Sequence, residues 1–407
     1  MVEPNMLDPA VIADPRGSYG RMRDEAPVQR GRMFDGTPAW YVTGAAEVRA
    51  LLGDPRFVTS VRSLPAHLGR GSVPVMPGLP KDLDNPTIVD TDGAEHTRLR
   101  KLVSRAFTAR RVAELRPRIV EITEELLAGL DRTGPVDLLE EFAYPLPITV
   151  ICELVGVPEP DRPSWRRWTR DLTSMDPARL PGAVTAMAEN VRQLAATRRA
   201  EPADDLVTVL VQAHDDGDRL TEGELVTMVV ALVFAGHENT ANLIGNAVVA
   251  LLDRPELLDL LRRRPQRWPS VVNELMRLWS PVQFVQVRYA AEDVELGGVT
   301  IAAGDSVLPV LISANSDPRE HPDPAVVDPD RTTANLALGH GPHYCLGAAL
   351  AKLEIEIALS TLFERYPSVT MTAPPEWAPI PGALRLTHLP VTVDSDVLVV
   401  ESAFKQP

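Results

Sequence analysis

Residues 338–353 read LGHGPHYCLGAALAKL, a glycine- and histidine-rich loop that carries one cysteine and leads directly into a strong helix pattern. Cys345 comes just before this helix, where the positive end of the helix dipole favours the thiolate. Gly347 allows backbone N–H groups to approach the sulfur. The loop therefore presents one activated sulfur at the start of a helix.

Three kinds of site use a cysteine in such a setting. A zinc site would need more cysteine or histidine ligands at close spacing, and the second cysteine, Cys152, is remote in an apolar stretch where it is most simply a core residue. A cysteine-protease nucleophile is conceivable, but its local signatures are missing. A single thiolate ligand to haem iron fits the pattern best.

The loop resembles the cysteine-ligand loop of the haem-thiolate monooxygenases of the cytochrome P-450 superfamily, of the soluble bacterial type. The family pattern is Phe-x-x-Gly-x-x-x-Cys-x-Gly, which Gly341, Cys345 and Gly347 match. Leu338 stands in place of the phenylalanine. This departure removes an aromatic ring near the sulfur, and we expect it to affect redox tuning rather than ligation.

The resemblance extends over nearly the whole chain. Glu274 and Arg277 match the family's Glu-x-x-Arg, a spacing that lets the two side chains pair on one helix face. Arg331 resembles the third member of that network. Taken alone, Glu274 and Arg277 would read as a surface ion pair, but the cysteine loop that follows makes the structural network the better interpretation.

The resemblance also implies which residues hold the haem. His96 and Arg100 lie four residues apart on one helix face and resemble the family's propionate contacts, and arginine can bind a carboxylate through two hydrogen bonds. The expected haem contacts, with Cys345 as the metal ligand, are His96, Arg100, Ala235, Arg288, Leu338, Gly339, His343, Cys345 and Gly347.

A long helix is predicted from a capping-box pattern at residues 221–224 to about Asp253, just before Pro255. Its middle is apolar on all sides, so we expect it to run through the core. Within it, residues 236–246 read GHENTANLIGN. By resemblance this helix crosses the distal face of the haem, where the family motif is Ala-Gly-x-(Asp/Glu)-Thr.

The resemblance gives roles to four residues of this motif. Gly236 would let the helix open locally for oxygen and water, although a glycine there could also serve close packing. Glu238 would relay protons, or would instead pair with a basic residue elsewhere. Asn239 replaces the usual threonine, and its amide can donate a hydrogen bond but does not readily pass a proton on. Thr240 lies about 100° further round the helix and should not simply substitute.

Asn239 leaves the reaction open. Either Asn239 and water activate oxygen, or a substrate hydroxyl or amide assists, or the enzyme performs an oxidative coupling or ring closure. By resemblance, the substrate pocket draws on residues 61–89, the central helix, residues 282–285 and residues 380–384. This apolar pocket suits a large hydrophobic molecule, and its expected lining residues are Val230, Val233, Phe234, Val282, Phe284, Val285 and Ala383.

Composition limits the remaining choices. The net charge of −15 argues against a nucleic-acid partner. The N-terminus has no signal-peptide pattern, and the longest apolar run, residues 225–236, is too short to cross a bilayer. We therefore expect a cytoplasmic protein without membrane contact. We predict one domain, 1–407, that is mainly α with small sheets near 30–60, 283–310 and 380–400: a cytochrome P-450 fold with haem between the long helix and the cysteine loop.

The predicted activity is that of a monooxygenase that uses O2 to hydroxylate or epoxidise a largely hydrophobic small molecule, by analogy in natural-product biosynthesis. Electrons should come from a ferredoxin and its reductase, because the chain has no Gly-x-Gly-x-x-Gly fingerprint; the basic stretch 98–111 would dock the ferredoxin. The alternative is oxidative C–C, C–N or C–O coupling or cyclisation of an aromatic or peptide-derived substrate. A haem sensor or carrier is a third reading, which Glu238 and the basic stretch disfavour.

Overall fold

A computed structural model describes residues 5–68, 85–130, 133–174, 176, 178–215 and 220–394. Fourteen helices make up most of this part of the chain: α1 Pro9–Ala13, α2 Pro15–Glu25, α3 Ala45–Gly53, α4 Gly93–Ser104, α5 Ala109–Ala128, α6 Pro145–Val155, α7 Arg162–Thr173, α8 Leu180–Ala200, α9 Leu206–Asp215, α10 Glu222–Leu252, α11 Pro255–Arg263, α12 Trp268–Trp279, α13 Leu311–Ala314 and α14 Ala348–Arg365.

Ten short strands form three sheets at the margin of the helical body. The strands are β1 Val28–Arg32, β2 Pro38–Val42, β3 Phe57–Val58, β4 Val136–Asp137, β5 Arg288–Ala290, β6 Val294–Leu296, β7 Val299–Ile301, β8 Ser306–Pro309, β9 Ser368–Met371 and β10 Pro390–Asp394. The largest sheet has the order β1-β2-β8-β5-β3, with only β2 and β8 parallel. The predicted mainly α fold with small sheets is confirmed.

Helix α10 is the centre of the core. Thr221 caps it, and the Thr221 hydroxyl and the Glu224 carboxylate exchange hydrogen bonds with each other's backbone N–H groups, as the sequence predicts. The helix packs against α6, α8, α12 and α14. Most of its side chains beyond the first turn are buried, so the uniformly apolar middle of the sequence reflects a helix surrounded by other helices.

The alternating residues 293–301 around Gly297-Gly298 predict a hairpin, and β6 and β7 form it. Val294 pairs with Ile301 and Leu296 with Val299, and the two-residue turn between them is Gly297-Gly298. Both glycines have positive φ, 58° and 82°, which is the conformation of a tight hairpin turn that matches strand twist.

The C-terminal margin differs from the prediction. The sequence pattern predicts short strands near Leu384 to Val393 and near Val397 to Val400, but β10 begins only at Pro390. The chain before it follows an irregular path in which the carbonyl oxygens of Leu384 and Arg385 bond to Asn246 and Ala378 rather than to a strand ladder. The strand predicted at 397–400 and residues 69–84 of the predicted pocket loop lie outside the described residues.

Candidate active site

A cavity of about 620 Å³ lies between α10, α14 and the loop that contains the cysteine. One face of α10 forms a wall, because residues spaced three, four and seven apart fall on the same side of a helix. The α10 residues that line the cavity are Leu232, Ala235, Gly236, Asn239, Thr240 and Leu243. The cysteine loop contributes residues 337–339 and 343–347.

The cysteine loop is held in place by backbone contacts. The Cys345 N–H donates to the Leu338 carbonyl over 2.9 Å. Gly339 and Gly341 have φ of 75° and 70°, and a Cβ on Gly341 would collide with the Leu52 carbonyl. These two positions therefore require glycine, and the turn they form places the Cys345 sulfur at the cavity wall.

Burial dominates the chemistry of the Cys345 thiol. It raises the pKa of Cys345, and a hydrogen bond from the Gly347 backbone and the charge of Arg100 only partly offset this effect. Desolvation thus opposes the thiolate that the position just before a helix is expected to favour. A metal ion that binds the sulfur would displace its proton, so this thiol suits a metal ligand better than a free nucleophile.

A second group of side chains lies beside the cavity. Arg100 and His343 line it, and Arg100 Nη2 donates to the Tyr344 carbonyl over 2.5 Å. The His96 ring lies 4.3 Å from that of His343. His96 is only 4% exposed, and its Nε2 has no hydrogen-bond partner among the described residues. Such a buried, unsatisfied nitrogen requires a partner that the chain itself does not supply.

The electrostatics of this group favour an anionic occupant. Burial lowers the pKa of His96 to about 4, with contributions from His343, Arg100 and Arg288, so His96 is a neutral donor. Arg288 is 3% exposed, and burial lowers its pKa to about 10. Two buried or half-buried guanidinium groups, together with the unsatisfied His96 nitrogen, match the two carboxylates of a haem. The donor set and the nearby Cys345, which also lines the cavity, fit this cofactor.

Glu274 and Arg277 form a buried ion pair that fixes the segment leading to the cysteine loop. Arg277 Nε and Nη2 each donate to the Glu274 carboxylate over 2.8 Å. Arg277 also donates to the carbonyls of Asn315, Pro324 and Val326. Arg331 Nε and the Asp328 N–H donate to the same carboxylate over 3.1 and 3.0 Å. The three residues therefore join α12 to residues 315–331.

The carboxylate of Glu238 faces away from the cavity and is paired. Arg385 Nη1 lies 3.0 Å from Glu238 Oε1, and Asn242 Nδ2 donates to the same oxygen over 3.0 Å. Burial raises the pKa of Glu238, and both Arg385 and Asn242 counteract this rise. Since the Arg385 side chain is 25% exposed, it connects this buried carboxylate to the protein surface.

Comparison with known proteins identifies the protein family of this chain. The family model described as "Cytochrome P450" matches residues 268–384. Cytochrome P450 107B1 of Saccharopolyspora erythraea is 45% identical over 92% of this chain and 93% of its own. The chain belongs to the cytochrome P450 family. This P450 is thus an oxidoreductase of the monooxygenase type, a class that carries a haem-thiolate cofactor and receives electrons from redox partners.

Two further relatives show the range of the family. Mycinamicin IV hydroxylase/epoxidase of Micromonospora griseorubida is 42% identical over 88% of this chain and 89% of its own. A solved structure, the cytochrome P450 enzyme CxnD for C–S bond formation in chuangxinmycin biosynthesis, has 36% identity and a TM-score of 0.84 over 93% of this chain and 94% of that one. The same fold thus serves oxygen insertion in one relative and bond formation in another.

The predicted oxygen-binding motif of this P450 occupies an uninterrupted helix. Residues 236–240 are α-helical, so the local opening expected at Gly236 is absent. A Cβ at Gly236 would lie 2.9 Å from Ile151 Cγ1 of α6, so the glycine serves close helix packing while it also lines the cavity. Thr240 Oγ1 makes a long hydrogen bond of 3.5 Å to the Gly236 carbonyl.

Asn239 is the polar side chain of α10 most open to the cavity. It is exposed within the cavity wall and forms no hydrogen bond with another described residue. His237 lies on the other side of the helix, buried near Tyr144, with ring centroids 6.2 Å apart. Asn239 is thus placed where the family's threonine would be, with both its donor and its acceptor free.

Four predicted pocket residues do not line the cavity. Val230, Val233 and Phe234 lie on other faces of α10, where they pack against the hydrophobic core; each step of 100° per residue turns them away from the stripe that Ala235 and Asn239 define. Ala383 pairs with Val282 in an isolated β-bridge and does not itself line the cavity. Val282, Phe284 and Val285 line the cavity as expected.

Several lining residues were missed because they come from the N-terminal margin. Met6, Met33 and Phe34 reach the cavity from residues near β1, and Leu308 reaches it from β8. Phe34 is 66% exposed, so the cavity extends to the protein surface at this point. The parallel pairing of β2 with β8 helps to bring these segments together, and the sequence gives no local signal for it.

Among the residues that the structure describes, no helix has the length and apolar character that a membrane span requires.

Proposed function

We propose that this P450 inserts one atom of O2 into a largely hydrophobic natural product by hydroxylation or epoxidation, with haem held by the Cys345 thiolate. The observation that carries this proposal is the cavity itself, which has the Cys345 thiol on one wall and the exposed side of Asn239 on the α10 wall. Arg100, His343, His96 and Arg288 would hold the haem propionates. When bound, haem supplies the iron at which O2 is reduced and split.

The residues around the cavity would perform the remaining tasks. The apolar side chains of Val282, Phe284 and Val285 bind substrate and exclude water. The Asn239 amide donates a hydrogen bond into the cavity and orients water or substrate there. Glu238 of α10, connected to the surface through Arg385, takes up protons from solvent for delivery to the cavity.

We further propose that a ferredoxin docks on the side of the cysteine loop. Of the basic residues in 98–111, Arg98 pairs with Glu224, Arg111 with Asp204 and Arg110 with Glu114. Lys101 and Arg105 are exposed and have no ion-pair partner among the described residues. Because three of the arginines are paired, the docking surface is smaller than the sequence indicates. Lys101 and Arg105 lie in the same segment as Arg100, which contacts Tyr344, so this surface is adjacent to Cys345.

The test uses purified holoenzyme with a ferredoxin, its reductase, NADPH and an extract of the source organism. Under an atmosphere of oxygen-18, the proposal predicts a product that is heavier by one labelled oxygen atom. A product without label that has lost two hydrogens, or that joins two molecules, would overturn it. That outcome would favour the second candidate, oxidative coupling or cyclisation, which Asn239 and the C–S bond-forming relative support.

A further inference from the structure

The carboxylate of Asp92 joins the two ends of the pocket loop that the sequence predicts at residues 61–89. Asp92 comes just after this loop, and its Oδ1 accepts from the Thr59 N–H and from the Thr59 hydroxyl over 2.9 Å each. Its Oδ2 accepts from the Ser60 N–H over 2.9 Å. Thr59 and Ser60 come just before the loop, so this one side chain closes the loop at its base.

These bonds replace the contact that the position of Asp92 would suggest. Asp92 is the N-cap residue of α4, where an aspartate ordinarily accepts from a backbone N–H of the first helical turn. Its side chain makes no such cap hydrogen bond. The carboxylate therefore forms its hydrogen bonds outside the helix, with the segment that leads into the pocket loop.

The same carboxylate faces a histidine that is expected to hold a haem propionate. Asp92 Oδ1 lies 3.7 Å from His343 Nε2, and both side chains are only 15% exposed. Burial opposes the charge of Asp92, but the contact with His343 and the hydrogen bonds from Thr59 and Ser60 outweigh it and lower the pKa of Asp92. Asp92 is therefore a carboxylate, and it attracts the N–H of the His343 ring.

We propose that Asp92 is a positioning residue of the haem site, which orients His343 toward a propionate and ties it to the base of the pocket loop. This inference rests on the proposed function, which supplies the haem. Carboxylates orient histidines in the same way at metal sites, where their loss weakens binding about 10–100-fold. Asp92 acts through His343 and not on the reacting atoms.

The tie makes the haem site and the pocket loop depend on each other. A propionate that fixes the His343 ring also fixes the group that faces Asp92, and a well-placed Asp92 in turn holds the ring. A coupling of this kind is reciprocal. The far end of the loop lines the cavity through Ile88 and Val89, so the position of the loop base also affects the cavity wall.

Transfer of haem from the holoenzyme to excess apomyoglobin measures how firmly the haem is held. Asp92→Asn removes the charge and puts an NH2 group in place of one accepting oxygen, so haem release should become about tenfold faster. Asp137→Asn is the matched control, because Asp137 Oδ1 also accepts two backbone N–H groups, from Leu139 and Leu389 over 3.0 Å each, and does not line the cavity. It should release haem at the wild-type rate. Equal rates in wild type and Asp92→Asn would overturn the proposal.

A double-mutant cycle shows whether Asp92 acts through His343. His343→Gln should also speed haem release, and Asp92→Asn should add little in that background. The propionate bending band in resonance Raman spectra should shift in both single variants and not in Asp137→Asn, because it reports on hydrogen bonds to the propionates. Additive effects on release, or an unshifted band in Asp92→Asn, would assign Asp92 a structural role alone and overturn the proposal.

The tie to the loop is measured from the other side, with Asp92 intact, by hydrogen exchange of the holoenzyme. The amides of Thr59 and Ser60 donate to Asp92, so they should exchange faster in His343→Gln than in wild type. The Leu139 amide, which donates to Asp137, should exchange as in wild type. Unchanged exchange at Thr59 and Ser60 would refute the inference alone, whereas wild-type protein that binds no haem would refute the proposed function and the inference with it.

Discussion

The guanidinium of Arg385 lies 3.0 Å from the buried carboxylate of Glu238 and favours its charged form. Burial raises the pKa of Glu238, and Arg385 opposes that rise. Removal of the cation by Arg385→Met should therefore raise the pKa of Glu238 further. We expect the pH profile of turnover to shift to higher pH, and turnover at neutral pH to fall about tenfold.

Arg385→Lys is the matched control for this prediction, because it keeps the positive charge. It should retain most of the activity and the wild-type pH profile. The measurement is product formation against pH for the three proteins. An Arg385→Met profile that coincides with that of wild type would show that the ion pair has no part in proton supply.

Asn239 is expected to orient water or substrate through its free amide. Asn239→Ala removes both hydrogen-bonding groups, so the fraction of NADPH that ends in product should fall about tenfold. Asn239→Thr restores the usual family residue and should stay within about threefold of wild type, on the same scale of effects. Parallel assays of NADPH, hydrogen peroxide and product would measure both. Equal coupling in Asn239→Ala and wild type would assign oxygen activation to other groups.

Gly236 is required by the close approach of α10 to α6. In Gly236→Ala the new Cβ would lie 2.9 Å from Ile151 Cγ1, and overpacking of this kind costs about 1–3 kcal/mol. We expect a lower melting temperature. Shortening the opposing side chain in the double variant Gly236→Ala/Ile151→Val should recover part of the loss. If the double variant is no more stable than the sum of the single effects predicts, the contact with Ile151 is not the cause.

The pair of Glu274 and Arg277 should be among the most sensitive positions of the chain. Arg277→Met leaves a buried carboxylate with fewer partners, so we expect a loss of about 3–5 kcal/mol in the free energy of unfolding. Burial raises the pKa of Glu274, but the hydrogen bonds from Arg277, Asp328 and Arg331 outweigh it and lower the pKa. Because the folded pKa is lowered, this stabilisation is present above pH 4.5 and is lost as pH falls through the folded value.

Denaturant unfolding at several pH values would measure this effect. The wild type should lose stability on acidification more steeply than Arg277→Met, which has less of the interaction to lose. Parallel pH curves for the two proteins would contradict the assignment.

The fold could be predicted from the sequence because its strongest signals are local. The capping box at Thr221 and the apolar middle of α10 define the central helix, and the glycines around Cys345 define the loop that faces it. The sequence also predicts which residues of α10 face the cavity, once Ala235 and Asn239 are placed on that side of the helix. Assigning Val230, Val233 and Phe234 to the same side was an error of helical phase.

Other parts of the site depend on contacts between distant segments. Arg385 reaches Glu238 from an irregular stretch that the sequence pattern suggested was a strand, and nothing local marks it as the partner. Phe34 and Leu308 both reach the cavity because β2 and β8 pair in parallel, a pairing between distant segments.

The central claim is that the Cys345 thiolate holds haem in this cavity. The most direct measurement is the carbon monoxide difference spectrum of the reduced protein, taken for wild type, Cys345→Ser and Cys152→Ser. Cys152 is free and buried in the core, so its variant is the control. We predict that wild type and Cys152→Ser show the band typical of thiolate-ligated haem and that Cys345→Ser loses it. Retention of that band in Cys345→Ser would contradict the account.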